Sequence, residues 1–231
     1  MSARAGPLSQ AIPGLVLFDL DGTLTDPLVG ITRSVQFALR SLGLEVAEPA
    51  ALIAFIGPPL QDAFEALTGL GPDDAVTAVA AYREYFAAQG IYENALYPGI
   101  PGVLRSLRED GAVLGVATSK PTVFANQILE HFGLAEYFDA VSGAELDGSV
   151  RHKHDVIERA LENLPGSLRS GAVMVGDREH DIIGAQLCGL PALGVLWGYG
   201  DAEELSAAGA VELVGEVAAL RGALQRRVPR R

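Results

Sequence analysis

Cysteine is nearly absent: Cys188 is the one thiol in 231 residues, so no disulfide can form within the chain. It sits in the apolar run Gly184–Leu190 and reads as a packed core residue. Long apolar runs are missing too. Nothing approaches the roughly 20 residues a membrane helix needs, and Met1–Pro13 has no continuous apolar stretch of the secretory kind. Residues 1–13 are therefore expected to be a disordered leader, and the location cytoplasmic. Basic residues are scarce, 17 Lys and Arg against 29 Asp and Glu, for a net charge of -12. That balance argues against a nucleic-acid polymer or an anionic membrane as principal partner. A phosphorylated metabolite stays possible, because it needs only local positive charge. The basic tail Arg226–Arg231 reads as a frayed, solvated end.

What remains is a chain that is 49% hydrophobic, ample for a large core. Its most informative stretch is Phe18-Asp19-Leu20-Asp21-Gly22-Thr23-Leu24-Thr25, directly after the apolar run Gly14–Leu17. A buried strand ending in paired carboxylates is a functional arrangement, since ligands of open α/β sheets bind at the carboxyl ends of the strands. Gly22 provides the turn that leads the chain away. Asp19 can attack as a nucleophile, Asp21 can carry a proton, and the pair can hold a divalent cation. A calcium loop would place a third acid two residues after Asp21 and a glutamate near position 30, where Thr23 and Gly30 stand instead.

Helical spacing of apolar residues marks Gly30–Leu42, Pro58–Leu67 and Asp73–Gln89, separated by Gly-Pro breaks. Residues 27–96 thus read as an all-helical insertion, flanked by an α/β domain made of 1–26 and 97–231. In the second part, strands expected at Val113–Ala117, Phe138–Val141, Ala172–Val175 and Ala192–Leu196 alternate with helices. The fold class is α/β, a doubly wound parallel sheet.

Three further strand ends or loops carry chemistry. Thr118 and Ser119 follow the strand at Val113, offering hydroxyls and backbone amides to an anion. Lys153, just before a helix, is a compact charge able to hold a phosphoryl oxygen and an aspartate together. Asp177 and Asp181, in Gly176-Asp177-Arg178-Glu179-His180-Asp181, face one side of a helix start and suit Mg²⁺. His152 and His154 lack a third ligand nearby and read as surface residues.

This succession, Asp-x-Asp-Gly-Thr, Thr-Ser, Lys and Gly-Asp-x-x-x-Asp, resembles the haloacid-dehalogenase-like (HAD) superfamily from about Leu15 to Leu220. The insertion at 27–96 resembles that family's small C1 cap. Between Lys153 and the strand at Ala172 there is no room for a large second cap. Within the superfamily the chain is similar to the phosphoglycolate-phosphatase branch. Gly57-Pro58-Pro59-Leu60, Gly90-Ile91-Tyr92-Glu93-Asn94 and Gly176–Asp181 most resemble a subgroup containing bacterial 5'-nucleotidases.

The resemblance implies a Mg²⁺-dependent phosphatase acting on a small phosphorylated metabolite, 2-phosphoglycolate or a nucleoside 5'-monophosphate. It implies Asp19 as nucleophile and Asp21 as acid and base. Gly22, Thr118 and Ser119 would surround the phosphoryl group, and Lys153 would stabilise its charge and orient Asp19. Asp19, the Asp21 carbonyl and Asp177 would hold Mg²⁺, with Asp181 behind them. Dehalogenases and phosphonate hydrolases of the superfamily lack an acid at the position of Asp21, which argues against both. A sugar-phosphate mutase keeps both acids and stays open; a non-enzymatic binding module would be expected to lose one of these groups. In the cap, Arg33, Arg83 and the Gly57–Leu60 loop are candidate contacts for the leaving group. The chain is expected to be a monomer or homodimer.

Overall fold

Leu15-Val16-Leu17-Phe18 has no polar face, and such a strand is stable only when covered on both sides. In the computed structural model, which describes residues 12–227, it forms β1 (Leu15–Phe18), with every side chain buried. Short β2 (Thr25–Asp26) and β3 (Ala95–Leu96) follow, then β4 (Val113–Pro121), β5 (Ala140–Ala144), β6 (Ala172–Gly176), β7 (Ala192–Val195) and β8 (Glu212–Val214). Six of these make a parallel sheet in the order β5-β4-β1-β6-β7-β8. β1 is central, as the continuous apolar run requires.

The two-residue alternation of strands splits the core. Val16, Phe18, Val116 and Val175 pack on one face, against Leu104, Leu107, Ile128, Leu129 and Leu220. Leu15, Leu17 and Met174 pack on the other, against Val156, Ile157, Ile182 and Ala185. Cys188 belongs to this second cluster, in the packed position expected of it.

Three helices, α1 (Leu28–Ser41), α2 (Leu60–Thr68) and α3 (Pro72–Ala88), lie between β2 and β3. They share an aromatic interior: Phe55 meets Phe64 edge-on at 5.0 Å, and Tyr82 stacks on Phe86 at 5.6 Å. β2 and β3 pair antiparallel, Thr25 with Leu96 and Asp26 with Ala95, so chain entry and exit are tied together. The remaining helices are α4 (Ile100–Glu109), α5 (Thr122–His131), α6 (Lys153–Glu162), α7 (Glu179–Leu187), α8 (Ala202–Ala207) and α9 (Leu220–Gln225).

Some details depart from the sequence reading. β4 runs four residues beyond Ala117, to Pro121, because it goes on pairing with β5 after a register shift between Thr118 and Pro121. The strand expected at Phe138–Val141 lies at Ala140–Ala144. The pair β2/β3, the 3₁₀ segment Pro49–Phe55 and the edge strand β8 have no counterpart in that reading. The expected leader lies outside the described residues up to Ala11, as does the tail beyond Arg227; Arg226 and Arg227 both pair with Glu212.

Candidate active site

Register alone assembles the site. Phe18 lies beside Val116 on one neighbour and Val175 on the other, so Asp19, Thr118 and Asp177 follow within two residues of the same level on three adjacent strands, just where β1 stops pairing with β4 and β6. Adjacent strands are about 4.8 Å apart, which puts these groups within reach of one ligand. The ladder continues one step further, with the Asp19 N–H donating to the Val175 carbonyl at 2.9 Å. Gly22 then turns at φ +85°, and a Cβ there would collide with the Asp177 carboxylate. No other residue type fits this position without pushing the two loops apart.

Asp19, Asp177 and Asp181 offer carboxylate oxygens that all lie within 4.8 Å of one another, and all three side chains are buried. Thr23 donates its hydroxyl to Asp177 Oδ1 at 3.0 Å, and the Tyr199 N–H donates to Asp177 Oδ2 at 2.9 Å. Lys153, at the start of α6, reaches Asp19 Oδ1 at 2.7 Å, Asp181 Oδ1 at 2.6 Å and the Ala117 carbonyl at 3.0 Å. Burial opposes its charge, yet Asp181 and Asp19 outweigh that cost and hold its pKa above the ordinary lysine value.

Asp21 turns away from this group. Its Oδ2 pairs with Lys120 Nζ at 2.8 Å, while Oδ1 is buried without a partner. Burial raises the Asp21 pKa and Asp19 adds to the rise, against the opposing pull of Lys120. The Lys120 ammonium also sits 4.2 Å from the centroid of the Phe86 ring, contributed by α3. The sequence reading missed Lys120, although it stands one residue beyond Ser119 at the same strand end. The signal that could have found it is a lysine placed where the strand leaves the core, beside paired acids. The Ser119 hydroxyl is buried and unpartnered, and the Thr118 hydroxyl accepts from the Lys120 N–H at 3.3 Å.

Four buried carboxylates, Asp19, Asp21, Asp177 and Asp181, therefore face two buried ammonium groups, Lys120 and Lys153, a formal charge of -2. Burial drives the pKa of Asp177 and of Asp181 upward, and mutual repulsion with Asp19 adds to it. An all-oxygen donor set with uncompensated negative charge fits a hard divalent cation such as Mg²⁺.

This has a measurable consequence for the metal-free protein. Raised carboxyl values mean that the folded state binds these protons more tightly than the unfolded chain, so stability falls as pH rises above the usual carboxylate range. A cation competing for the same oxygens restores it. Thermal melts of chelator-treated protein should show a larger Mg²⁺-induced gain in Tm near about pH 8 than near about pH 5. A gain independent of pH would mean that the ion does not share these acids.

Above the acids lies a cavity of about 300 Å³, reaching from Asp19 and Asp21 to Arg83, Asp147 and Arg151. Its walls are largely apolar and aromatic, with Ile31, Phe55, Val79, Tyr82, Phe86 and Phe124 prominent, and the Gly57–Gln61 loop forms one side. Arg83 lines it, donating Nη1 to the Leu146 carbonyl at 2.9 Å and leaving Nε buried without a partner. Arg33, by contrast, does not line the cavity. It lies on the outer side of α1, paired with Glu93, with its side chain 56% exposed, which corrects its candidacy as a leaving-group contact. Of the histidines, His152 is exposed and His154 half-buried, and they stack on each other rather than join the acids.

The profile of haloacid dehalogenase-like hydrolases matches residues 16–195, which include every acid and lysine of this cluster. The chain belongs to the haloacid dehalogenase-like hydrolases. It is 46% identical to a 5'-nucleotidase of Pseudomonas aeruginosa over 91% of this chain and 95% of that protein. It is 44% identical to the tyrosine-protein kinase PtkA of Mycobacterium tuberculosis, over 83% of this chain and 65% of that one. Among solved structures, one described as a predicted phosphatase from Clostridium acetobutylicum superposes with a TM-score of 0.89 at 46% identity, covering 94% of this chain and 100% of the other. The parallel sheet with flanking helices is thus the core of this hydrolase family, and the protein is an enzyme of the hydrolase class. Among the described residues no helix is long and apolar enough to cross a membrane.

Proposed function

We propose that this hydrolase is a Mg²⁺-dependent phosphatase that cleaves nucleoside 5'-monophosphates through a phosphoryl-aspartate on Asp19, with residues 27–96 acting as a cap over the leaving group. The observation that carries the substrate reading is the cavity. A space of about 300 Å³ walled by Phe55, Tyr82, Phe86 and Phe124 is matched to a flat, π-faced leaving group. A two-carbon acid such as glycolate would leave most of it to water. Arg83 lines the same cavity and can offer its guanidinium to an acceptor on the ligand, such as a base carbonyl or ring nitrogen.

The chain's own groups divide the work. Lys153 engages Asp19 Oδ1, which leaves the second oxygen of Asp19 to attack phosphorus. Breaking the ester P–O bond puts negative charge on the departing oxygen, and Asp21 donates a proton to it. The raised pKa of Asp21 keeps that proton available, and Lys120 fixes the carboxyl by its other oxygen. Asp21, now ionised, takes a proton from water as the water oxygen attacks phosphorus, releasing Asp19 and free phosphate. Thr118 and Ser119 donate to the phosphoryl oxygens throughout. Asp19, Asp177, Asp181 and the Asp21 carbonyl would hold Mg²⁺, whose charge opposes that of the phosphoryl oxygens.

A phosphate-release screen tests the substrate assignment. Purine or pyrimidine 5'-monophosphates should exceed 2-phosphoglycolate by at least about tenfold in kcat/KM, because discrimination rests on contacts only the larger leaving group makes. A preference for 2-phosphoglycolate would overturn the nucleotide reading and leave the phosphatase reading standing. Isomerisation of a hexose 1-phosphate with little phosphate released would instead favour the mutase.

A further inference from the structure

Two segments far apart in sequence, Gly57-Pro58-Pro59-Leu60 and Gly176–Asp181, meet through one side chain. Arg178 leaves the loop between Asp177 and Asp181, and its Nη1 donates to the Ile56 carbonyl at 2.5 Å. Its Nε is held by Glu204 Oε1 at 2.8 Å, and the same oxygen accepts from the Glu179 N–H at 2.9 Å. The Arg178 backbone N–H donates to Asp181 Oδ2 at 3.0 Å. One residue thus anchors an acid of the cation cluster with its backbone and the loop walling the cavity with its side chain.

The contact is built from both sides. Gly57 has φ +109°, a conformation that side-chain-bearing residues rarely adopt, and a Cβ there would lie 2.8 Å from Arg178 Cγ. The glycine lets the loop press flat on the arginine stem. Among the described residues two other hydrogen-bonded or ion-paired contacts cross between the helical segment and the sheet side, Arg83 to Leu146 and Arg151 to Asp62 at 3.5 Å. The Arg151 pair is about 40% exposed on each side, whereas Arg178 and Glu204 are 17% and 23% exposed. The Glu204 pair lies wholly on the sheet side and holds the guanidinium in place. The contact that crosses is the hydrogen bond to the Ile56 carbonyl, made by a better shielded group than the Arg151–Asp62 pair and less weakened by water and salt.

We propose that Arg178 is a specificity-positioning residue: it fixes the Ile56–Leu60 loop against the loop carrying Asp177 and Asp181, so that the leaving-group wall is in place when the phosphoryl site is filled. This rests on the phosphatase reading above. Arg178 touches neither phosphorus nor the leaving group, and its effect appears only with substrates large enough to need the wall. A charge-assisted hydrogen bond to a loop carbonyl is of the size to change such discrimination by about tenfold or more.

The test compares Arg178→Met and Arg178→Lys with wild type on a nucleoside 5'-monophosphate and on acetyl phosphate, whose leaving group is too small to reach the loop. For Arg178→Met, kcat/KM on the nucleotide should fall about tenfold or more, mostly through KM, while acetyl phosphate changes by less than about threefold. Arg178→Lys should recover part of the loss, since an ammonium can reach one acceptor but not span two. Gly57→Ala, which disturbs the contact from the other side, should reproduce the Arg178→Met pattern. Equal losses on both substrates, or an unchanged ratio in a variant whose melting temperature matches wild type, would overturn the assignment. Wild type inactive on both substrates would instead overturn the phosphatase reading itself.

Discussion

Asp19→Asn is expected to lower phosphate release by about 10³- to 10⁵-fold, with no phosphoryl-enzyme formed. The amide is nearly isosteric, so the fold should survive, but it carries no charge and is a poor nucleophile towards phosphorus. It also withdraws an anion from Lys153, which lies 2.7 Å away, and removes one of three carboxylates from the cation cluster. The variant separates the two roles proposed for Asp19. If Asp19 only helped to hold the cation, excess Mg²⁺ would restore much of the rate. If it forms the phosphoryl bond, no concentration of Mg²⁺ will do so. Single-turnover assays with acid quench and mass measurement of the intact chain would detect an added phosphoryl group in the wild type and none in the variant. Turnover within about tenfold of wild type would rule Asp19 out as nucleophile.

The residues most exposed to that test were also the most legible in the sequence, for a physical reason. A central parallel strand must be apolar throughout, so the polar residue that ends it stands out as sharply as Asp19 does after Phe18. The same holds for Val175-Gly176-Asp177, where the strand β6 is buried over its whole length. Lys153 was legible as a charge placed at a helix start. Of its partners, Asp19 was expected only through the family resemblance and Asp181 not at all, because the two come to it from different strand ends and only register brings them together.

The helical segment was less legible, and Arg33 against Arg83 shows why. Both lie on amphipathic helices beside apolar neighbours, and helical periodicity alone gives each an equal claim to the cavity. The choice is made by tertiary partners: Glu93 draws Arg33 outward, while the Leu146 carbonyl, just beyond β5, draws Arg83 across the cavity mouth. Lys120 was hidden for a related reason. Its side chain is held by Asp21 and covered by Phe86, and neither contact leaves a trace in local sequence. Strands of two or three residues such as β2, β3 and β8 carry too few side chains to show a period.

Lys153→Met should be nearly as damaging as Asp19→Asn, and should damage two properties that can be measured apart. Methionine preserves the length and much of the packing of the stem and deletes only the charge. With the ammonium gone, Asp19 and Asp181 face each other without a cation in between, and the four buried carboxylates are opposed by Lys120 alone, a formal charge of -3. Breaking a buried pair by removing one partner costs about 3–5 kcal/mol. For a domain of this size that lowers Tm by roughly 6–20 °C, most severely in metal-free protein near neutral pH. Saturating Mg²⁺ should recover much of the stability, since a divalent ion can neutralise the same oxygens. It should not recover turnover, because the charge that held Asp19 Oδ1 and faced the phosphoryl group has gone. We expect kcat to stay about 10²- to 10³-fold low even when Tm has returned. Lys153→Arg should not rescue it, since a planar fork does not fit a point enclosed by Asp19, Asp181 and the Ala117 carbonyl. Recovery of both Tm and kcat by Mg²⁺ would reduce Lys153 to a counter-ion for the acids and remove it from the phosphoryl-transfer step.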